Sequence, residues 1–341
     1  MVSLGFAMPA GSTIPASVRL EFAQQVEKLG YDSFWLPHFI SRDVDGFDAL
    51  DMLCAVAAKT SRIDLGTDVL QVPLYHPVDL ARRVVTLDHI SGGRFILGVG
   101  IGFIPTEYAA LGVPFQERGA RMDEALELLV RLWTEEEVTY EGKYYRVKET
   151  VLAPRSVQKP YPRMLMGGLH SGIQRGAPGA PRKGGWNRPG IRRTARWATG
   201  WIPGGRPDLE VCREGVGLLK EAARKEGRSV DDETFDLTLS SFGQFNIAGE
   251  RARALQEAER FYNTRLRKGF YQVQANPSFD ALRESGCYGP ASEVAKVINQ
   301  WLGFKKTVPA LKRIVIMFAS LDPLRQLERF HEEVQPLLVS T

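Results

Sequence analysis

Along the chain, short apolar runs of strand length alternate with longer stretches whose apolar positions recur every three or four residues. The first run, Ser3 to Met8, is closed by Pro9, and Ser17 to Leu29 then places Val18, Phe22, Val26 and Leu29 on one helical face. Gly30 caps that helix, and Tyr31 to Leu36 gives a second strand ending in Pro37-His38-Phe39. The beat continues with a helix over Phe47 to Lys59, a strand over Ile63 to Val69, a helix over Val78 to Ile90 and a strand over Phe95 to Ile101. Arg118 to Trp133 is again helical, with Met122, Ala125, Leu126, Leu129 and Trp133 on one face. Strands alternating with helices at this spacing predict a parallel sheet joined by right-handed crossovers.

The regularity breaks at Glu135. Residues Glu135 to Lys148 alternate as a small hairpin around Glu141-Gly142, and a Pro-rich extended run from Pro154 to Pro162 leads into a fifth strand, Met164 to Gly167. Leu169 to Arg196 is rich in glycine, proline and arginine with almost no apolar period, which predicts a long loop where a helix is due. Helix resumes over Arg192 to Ala198, Trp201-Ile202 is a brief sixth strand, and Asp208 can N-cap a helix running to Glu226. Phe235 to Phe245 reads as the seventh strand, and Glu250 to Lys268 is a charged helix in a further insertion ending near Gly286. Ala291 to Leu302, Arg313 to Ala319 and Pro323 to Val334 supply the last helix, strand and helix.

The chain's 341 residues exceed the roughly 250 of a minimal (β/α)₈ barrel by enough for several insertions. One domain over residues 1–341 is the economical reading, with insertions at about 135–160, 169–192 and 249–286. A net charge of +4 gives no global pull toward nucleic acid or a membrane surface. Cys54, Cys212 and Cys287 are scattered without metal-ligand spacing and read as reduced thiols of a cytoplasmic protein. The start of the chain lacks a signal-peptide pattern, and no apolar segment approaches 18 residues. No pair of histidines has metal spacing, so no metal is assigned.

The stretch LDHISGGRFILGVGIGF, Leu87 to Phe103, joins a helix to a buried strand with an open end. Gly92 and Gly93 stop the helix, and Phe95, Ile96, Leu97 and Val99 are apolar on both faces, as in a parallel strand covered on both sides. Gly98, Gly100 and Gly102 then alternate on one face, leaving backbone open to a flat group or a phosphate. The alternative is that they only relieve crowding inside a barrel.

The ordered block from Gly66 to Trp133, GTDVLQVPLYHP through LLVRLW, resembles the bacterial luciferase-like superfamily of flavin and deazaflavin oxidoreductases. The likeness continues in VTYEGKYY, Gln158 to Pro162, Met166 to Gly168, Gly200-Trp201 and YGPASEVAKVI, and so spans nearly the whole chain. It implies a (β/α)₈ TIM barrel of the α/β class with the cofactor ring at the C-terminal ends of the strands. It also implies a non-prolyl cis peptide and a bulge under the ring at Asp68-Val69-Leu70. Asp68 is larger than the residues often found there, and its carboxylate could instead bond to a ring nitrogen. Phe6 and Ala7 would line the barrel floor, and Gly100-Ile101-Gly102 would flank the cofactor tail. Gly167 and Gly168 would cradle its phosphate, with Arg192 and Arg196 as further ligands. Gly200-Trp201 matches a family position beside the cofactor, where Thr199 replaces the usual aspartate.

His38 follows the second strand where the family places a histidine facing the ring, and an imidazole exchanges protons near neutral pH. The bland reading is a loop histidine that only packs. His76 and His89 read as structural, and His170 can reach a ligand. Trp35, Phe39, Phe103 and Tyr108 suggest an apolar or aromatic pocket for a small-molecule substrate; ordinary core packing is the alternative. Arg175, Arg182, Lys183, Arg188, Arg192, Arg193 and Arg196 concentrate charge in a loop that can close over an anion, with Trp186 as its anchor.

The resemblance covers two chemistries. The leading expectation is a monooxygenase using dioxygen and FMN, reduced and supplied by a separate flavin reductase, because no NAD(P)H-binding fingerprint stands on its own βαβ unit. The alternative is hydride transfer with the deazaflavin coenzyme F420, and a third reading is a non-catalytic flavin-binding barrel. A homo-oligomer, dimer or tetramer, is expected, with neither nucleic acid nor membrane as partner.

Overall fold

The computed structural model describes residues 1–8, 14–41, 46–170, 185–204, 208–241, 245–266, 279, 283 and 286–339. Arg175, Arg182 and Lys183, expected in the basic loop, lie outside the described residues. The strands in chain order are β1 (Ser3–Ala7), β2 (Ser33–Leu36), β3 (Asp64–Thr67), β4 (Leu70–Gln71), β5 (Phe95–Gly100), β6 (Val138–Glu141), β7 (Arg146–Thr150), β8 (Arg163–Gly167), β9 (Gly200–Ile202), β10 (Asp236–Ser240), β11 (Phe245–Ile247), β12 (Cys287–Gly289) and β13 (Leu311–Met317). Eight of them, β1, β2, β3, β5, β8, β9, β10 and β13, pair in parallel and close on themselves. The ring closes where Leu65 and Gly66 of β3 meet Phe95 and Ile96 of β5. This is the (β/α)₈ barrel that the alternating pattern foreshadowed.

Around it stand α1 (Ala16–Lys28), α2 (Ala49–Ala57), α3 (Pro77–Ile90), α4 (Pro105–Ala110), α5 (Arg118–Thr134), α6 (Arg188–Trp197), α7 (Leu209–Lys225), α8 (Arg251–Phe261) and the helices Ala291–Gly303 and Pro323–Arg329. Side-chain caps fix several starts. Asp48 accepts from the N–H groups of Leu50 and Asp51, and Asp208 accepts from Val211 at 2.9 Å, as its position predicted. Asn187 accepts from Gly190 at 3.1 Å, so α6 begins at Arg188, one turn earlier than the polar sequence suggested.

Alternation along the strands sorts the core into two layers. Outward residues such as Phe6, Phe34, Phe95, Leu97, Ile314 and Ile316 pack beneath the helices, while Ala7, Trp35, Ile96, Leu165, Ile202, Val315 and Met317 fill the lumen, with Val69 above them. Phe6 therefore does not line the barrel interior as expected. Its ring sits 4.7 Å from Tyr31 and 5.2 Å from Phe330, on the helix side. Only Ala7 of that pair faces the lumen.

Trp35 fills the lower lumen rather than a substrate pocket. Its indole N–H donates to Ser33 Oγ at 2.9 Å, and Arg313 lies 5.5 Å over its ring. Gly66 makes room for it, since a Cβ there would fall 2.1 Å from the ring. Beneath, Arg313 bridges Asp64 and Asp236 at 3.2 and 3.1 Å, and Arg163 reaches Asp64 at 2.9 Å. These charges close the N-terminal end of the barrel.

The seventh strand is shorter than its apolar run. β10 stops at Ser240, and Phe245, expected in the same strand, belongs to β11, which pairs with β12 in a separate two-stranded sheet. β6 and β7 pair antiparallel outside the barrel. Among the described residues no helix is long and apolar enough to cross a membrane.

Candidate active site at the barrel mouth

At the C-terminal end of β3 the chain passes through a cis peptide between Asp68 and Val69, as the resemblance implied. The Asp68 N–H donates to the Leu36 carbonyl at 2.8 Å, pinning the turn to β2. Asp68 lies on the face of β3 that carries Asp64 and Gly66, and its buried carboxylate accepts a hydrogen bond from the Ser240 hydroxyl of β10, across the barrel. Burial pushes this carboxyl up to about 6, against the opposing effect of the Ser240 bond.

Val69 is half-buried and wedged between two strand ends. A Cβ on Gly100 would approach its Cγ2 to 2.8 Å, and one on Gly167 to 2.9 Å. The two glycines thus let Val69 form a low apolar ledge with no side chain rising beside it from either position. Any other residue at either position would press its Cβ against Val69. Leu70 turns outward into the helix-side core. Gly98 has a packing role, since its missing Cβ would lie 1.9 Å from the Thr67 carbonyl oxygen.

His38 follows β2, buried at the rim, with Nε2 2.7 Å from the Tyr75 hydroxyl. Tyr75 is 3.4 Å from Asp48, which pairs with Arg83 at 3.0 Å. Burial, with Asp48 adding to it, holds the Tyr75 hydroxyl above the ordinary tyrosine range, so it stays protonated and can both donate and accept. The loop carrying His38 is tied down by Glu107 of α4, which accepts from the Ile40 N–H at 3.0 Å and from Gln71 Nε2 at 3.0 Å. The Gln71 side chain in turn requires a glycine at Gly102, whose φ is +68° and whose Cβ would fall 2.3 Å from Gln71 Oε1. Tyr75, Gln71 and Glu107 lie inside the block that carries the resemblance, which did not single them out, and Ser240 lies outside it. A weak signal existed in β10, where Asp236, Thr238 and Ser240 place a polar residue at every second position of an otherwise apolar strand.

Several expected site residues lie elsewhere. Tyr108 is fully buried, its hydroxyl donating to the Ile101 carbonyl and its ring edge-on to Phe115 at 5.3 Å. It braces the loop after β5 and does not line a substrate pocket. Ile101 itself leans on the helix-side core. Phe39 lines a small pocket with Arg19, Leu36, Pro37, Phe47 and Met52, on the α1 and α2 side of the rim. Phe103 is half-buried in the loop that follows β5 at the mouth.

The expected phosphate cradle is partly spoken for. The Gly168 N–H donates to the Ile202 carbonyl at 3.0 Å, and its carbonyl accepts from the Trp201 indole at 2.6 Å. Trp201 points outward, where a Cβ on Gly215 of α7 would clash with its ring, and Gly200 packs beside Asp236 and Leu165 at the lower end of β9. Gly200 thus lies below the mouth, and Trp201 reaches it only through its indole bond to Gly168. Arg192 and Arg196 are exposed, and Arg196 sits in the last turn of α6, 4.0 Å from Glu226 and 4.6 Å over Trp197. A ten-residue helix spans about 15 Å, so that turn stands near the opposite end of the barrel. The buried arginine of this helix is Arg193, held by Asp123 of α5 at 2.7 Å. Trp186 is docked, 4.8 Å from the His170 ring and 5.9 Å from Trp201, with its N–H on Glu214 at 2.9 Å.

His76 caps α3 through a bond from the Val78 N–H, and His89 Nε2 lies 2.7 Å from the Arg155 carbonyl, so both are structural. Among the described residues no group of three or more His, Cys, Asp or Glu is placed to hold a metal ion.

Comparison with known proteins places this geometry. An F420-dependent glucose-6-phosphate dehydrogenase of Kineococcus radiotolerans is 37% identical over 247 residues, 70% of this chain and 68% of that one. A limonene 1,2-monooxygenase of Rhodococcus erythropolis is 31% identical over 239 residues, 69% of this chain and 57% of that one. Alignments with other curated relatives span about half of their length. A monooxygenase structure from Streptomyces bottropensis superposes with a TM-score of 0.76 at 22% identity, covering 98% of this chain and 99% of that one, which shows the shared fold. The luciferase-like monooxygenase family profile matches residues 4–294, and the chain belongs to that family of oxidoreductases.

Proposed function

We propose that this enzyme seats a flavin-type ring on the Val69 ledge and exchanges a proton at His38 with a small organic substrate bound above it. The observation that carries the reading is the wedge of Val69 between Gly100 and Gly167, beside a histidine held by Tyr75. When bound, reduced FMN supplies oxygenation by dioxygen, whereas deazaflavin supplies hydride transfer alone. The protein's own part is to hold the ring flat, keep water from it and deliver or accept a proton at His38 Nε2 or Nδ1.

Our leading assignment is a monooxygenase that receives reduced FMN from a separate reductase. Among the described residues Val69 and Phe103 are the apolar side chains half-exposed at the mouth, and Arg83, the cation nearest His38, is paired with Asp48 and Asp51. That favours a neutral, apolar or aromatic substrate. The second assignment, coenzyme F420, is favoured by the similarity to the Kineococcus enzyme. Anaerobic titration with reduced FMN and with F420, followed by oxygen-uptake measurements, tests both. Tight FMN binding with substrate-dependent oxygen consumption supports the first; tight F420 binding without oxygen demand supports the second and overturns it.

A further inference from the structure

The proposed chemistry leaves one buried acid at the mouth without a task. Asp68 is one peptide bond from the ledge residue Val69, and its carboxyl lies in the upper lumen, bonded to Ser240 on the far side of the ring of strands. The lumen cluster below Val69 is apolar, made of Ala7, Trp35, Ile96, Leu165, Ile202, Val315 and Met317. The nearby Thr67 hydroxyl is committed to the Gly98 carbonyl at 2.8 Å. The charged groups of the lumen, Arg313, Arg163, Asp64 and Asp236, gather at the other end. Asp64 lies four residues down the same strand, about 13 Å away at the rise of a β-strand. On the β2 side the titratable neighbour is His38, engaged with Tyr75. Among the described residues, then, no cation faces Asp68 to offset its charge.

We propose that Asp68 couples cofactor binding to proton uptake, so that an anionic ring settles on the Val69 ledge only as Asp68 takes a proton from solvent. The inference rests on the ring position given under Proposed function. Its physical basis is that two like charges stacked in a dry site exclude each other, and the cheaper adjustment is protonation of the carboxylate. The balance is simple: ring anion, Asp68 carboxylate and one solvent proton give the complex with Asp68 as the carboxylic acid. Ser240 makes both states tolerable. Its hydroxyl donates to the carboxylate, and its oxygen accepts from the protonated acid, so the bond across the barrel survives with its direction reversed.

The direction with pH follows. Burial already brings free Asp68 to about 6, so near pH 7.5 the free protein is ionised there and the complex is not. Proton uptake then approaches one per ring and fades below pH 6, where the acid is already protonated.

Calorimetry of the full-length protein with reduced FMN under anaerobic conditions, and in parallel with F420, in two buffers of different ionisation enthalpy, counts that proton. Oxidised FMN carries the same phosphate on a neutral ring and serves as the reference. Wild type should take up close to one proton more with the reduced than with the oxidised ring, and its Kd for the reduced ring should rise up to about tenfold per pH unit above neutrality. Asp68→Asn should abolish the extra proton, flatten the pH dependence and bind the reduced ring at least tenfold tighter at pH 8. His38→Gln should keep the uptake; its loss there instead would assign the proton to His38 and overturn the proposal. Equal proton counts for reduced and oxidised rings in wild type alone would also overturn it, whether or not Asp68→Asn folds. If neither reduced FMN nor F420 binds, the cofactor reading fails first and this inference with it.

Discussion

His38 and Tyr75 meet at 2.7 Å, ring nitrogen against phenol, from two different loops of the barrel mouth. The contact makes His38 more than a solvent-facing loop residue, because one tautomer-defining partner is already in place. Replacing His38 with Ala should lower turnover by roughly 10² to 10⁴ if it moves the proton. Tyr75→Phe leaves the imidazole present but unoriented. It should cost about 0.5–1.5 kcal/mol of one hydrogen bond, roughly a two- to tenfold loss in turnover with little change in KM. The pH-rate profile is the check: a profile unaltered in the His38 variant reduces that residue to packing.

The ledge is testable by filling the space beside it. Gly100→Ala would put a methyl group 2.8 Å from Val69 Cγ2, with no other atom closer than Val69 Cβ at 3.9 Å. Overpacking of this kind costs about 1–3 kcal/mol, and ring affinity should fall with it. Adding Val69→Ala restores the space, so the double variant should recover melting temperature relative to Gly100→Ala alone. Additive losses in the two variants would show that Gly100 and Val69 do not share a ledge.

Removing charge from α6 should do little at the mouth. Arg196 lies at the far end of that helix beside Glu226, and Arg192 is exposed. Arg192→Gln and Arg196→Gln should therefore leave the Kd for FMN within about twofold, the scale expected of surface changes. A salt-dependent loss of affinity of tenfold or more in either variant would restore it as a phosphate ligand.

The order of strands and helices was legible because each barrel strand carries a short apolar run and each helix a 3.6-residue period. Which face of a strand points inward was not. Phe6 and Ala7 are both apolar and both buried, so the pattern could not say that Phe6 faces Tyr31 and Phe330 while Ala7 faces the lumen. The same ambiguity misplaced Trp35 and Trp201. Gly100 and Gly167 were legible as open backbone, but their shared neighbour Val69 emerges only when three strand ends converge. Asp68 and Ser240 are 172 residues apart and belong to opposite strands, a relationship that no local pattern encodes. His38 was found through its place after the second strand, while Tyr75, reaching it from 37 residues away, carried no signal of its own.

The floor of the barrel gives the last prediction. Arg313, almost fully buried, holds Asp64 and Asp236 at 3.2 and 3.1 Å, and Arg163 adds a second bond to Asp64 at 2.9 Å. Burial alone would raise the Asp64 carboxyl, but the bonds and charges of Arg163 and Arg313 outweigh it and hold the group below its usual 3.8. A carboxylate whose folded pKa is depressed contributes stability that is complete above its unfolded pKa and is lost as pH falls through the folded value. Wild type should therefore lose stability on acidification below about pH 4, and Asp64→Asn should lose less over the same window while starting lower at neutral pH. Arg313→Met removes the shared cation and strands Asp236 with no other charge partner among the described residues. Breaking a buried pair from one side costs about 3–5 kcal/mol, so urea midpoints at pH 7 should fall sharply in this variant. A midpoint equal to that of wild type would mean that the apolar packing of Trp35 and its neighbours closes the barrel without the charges.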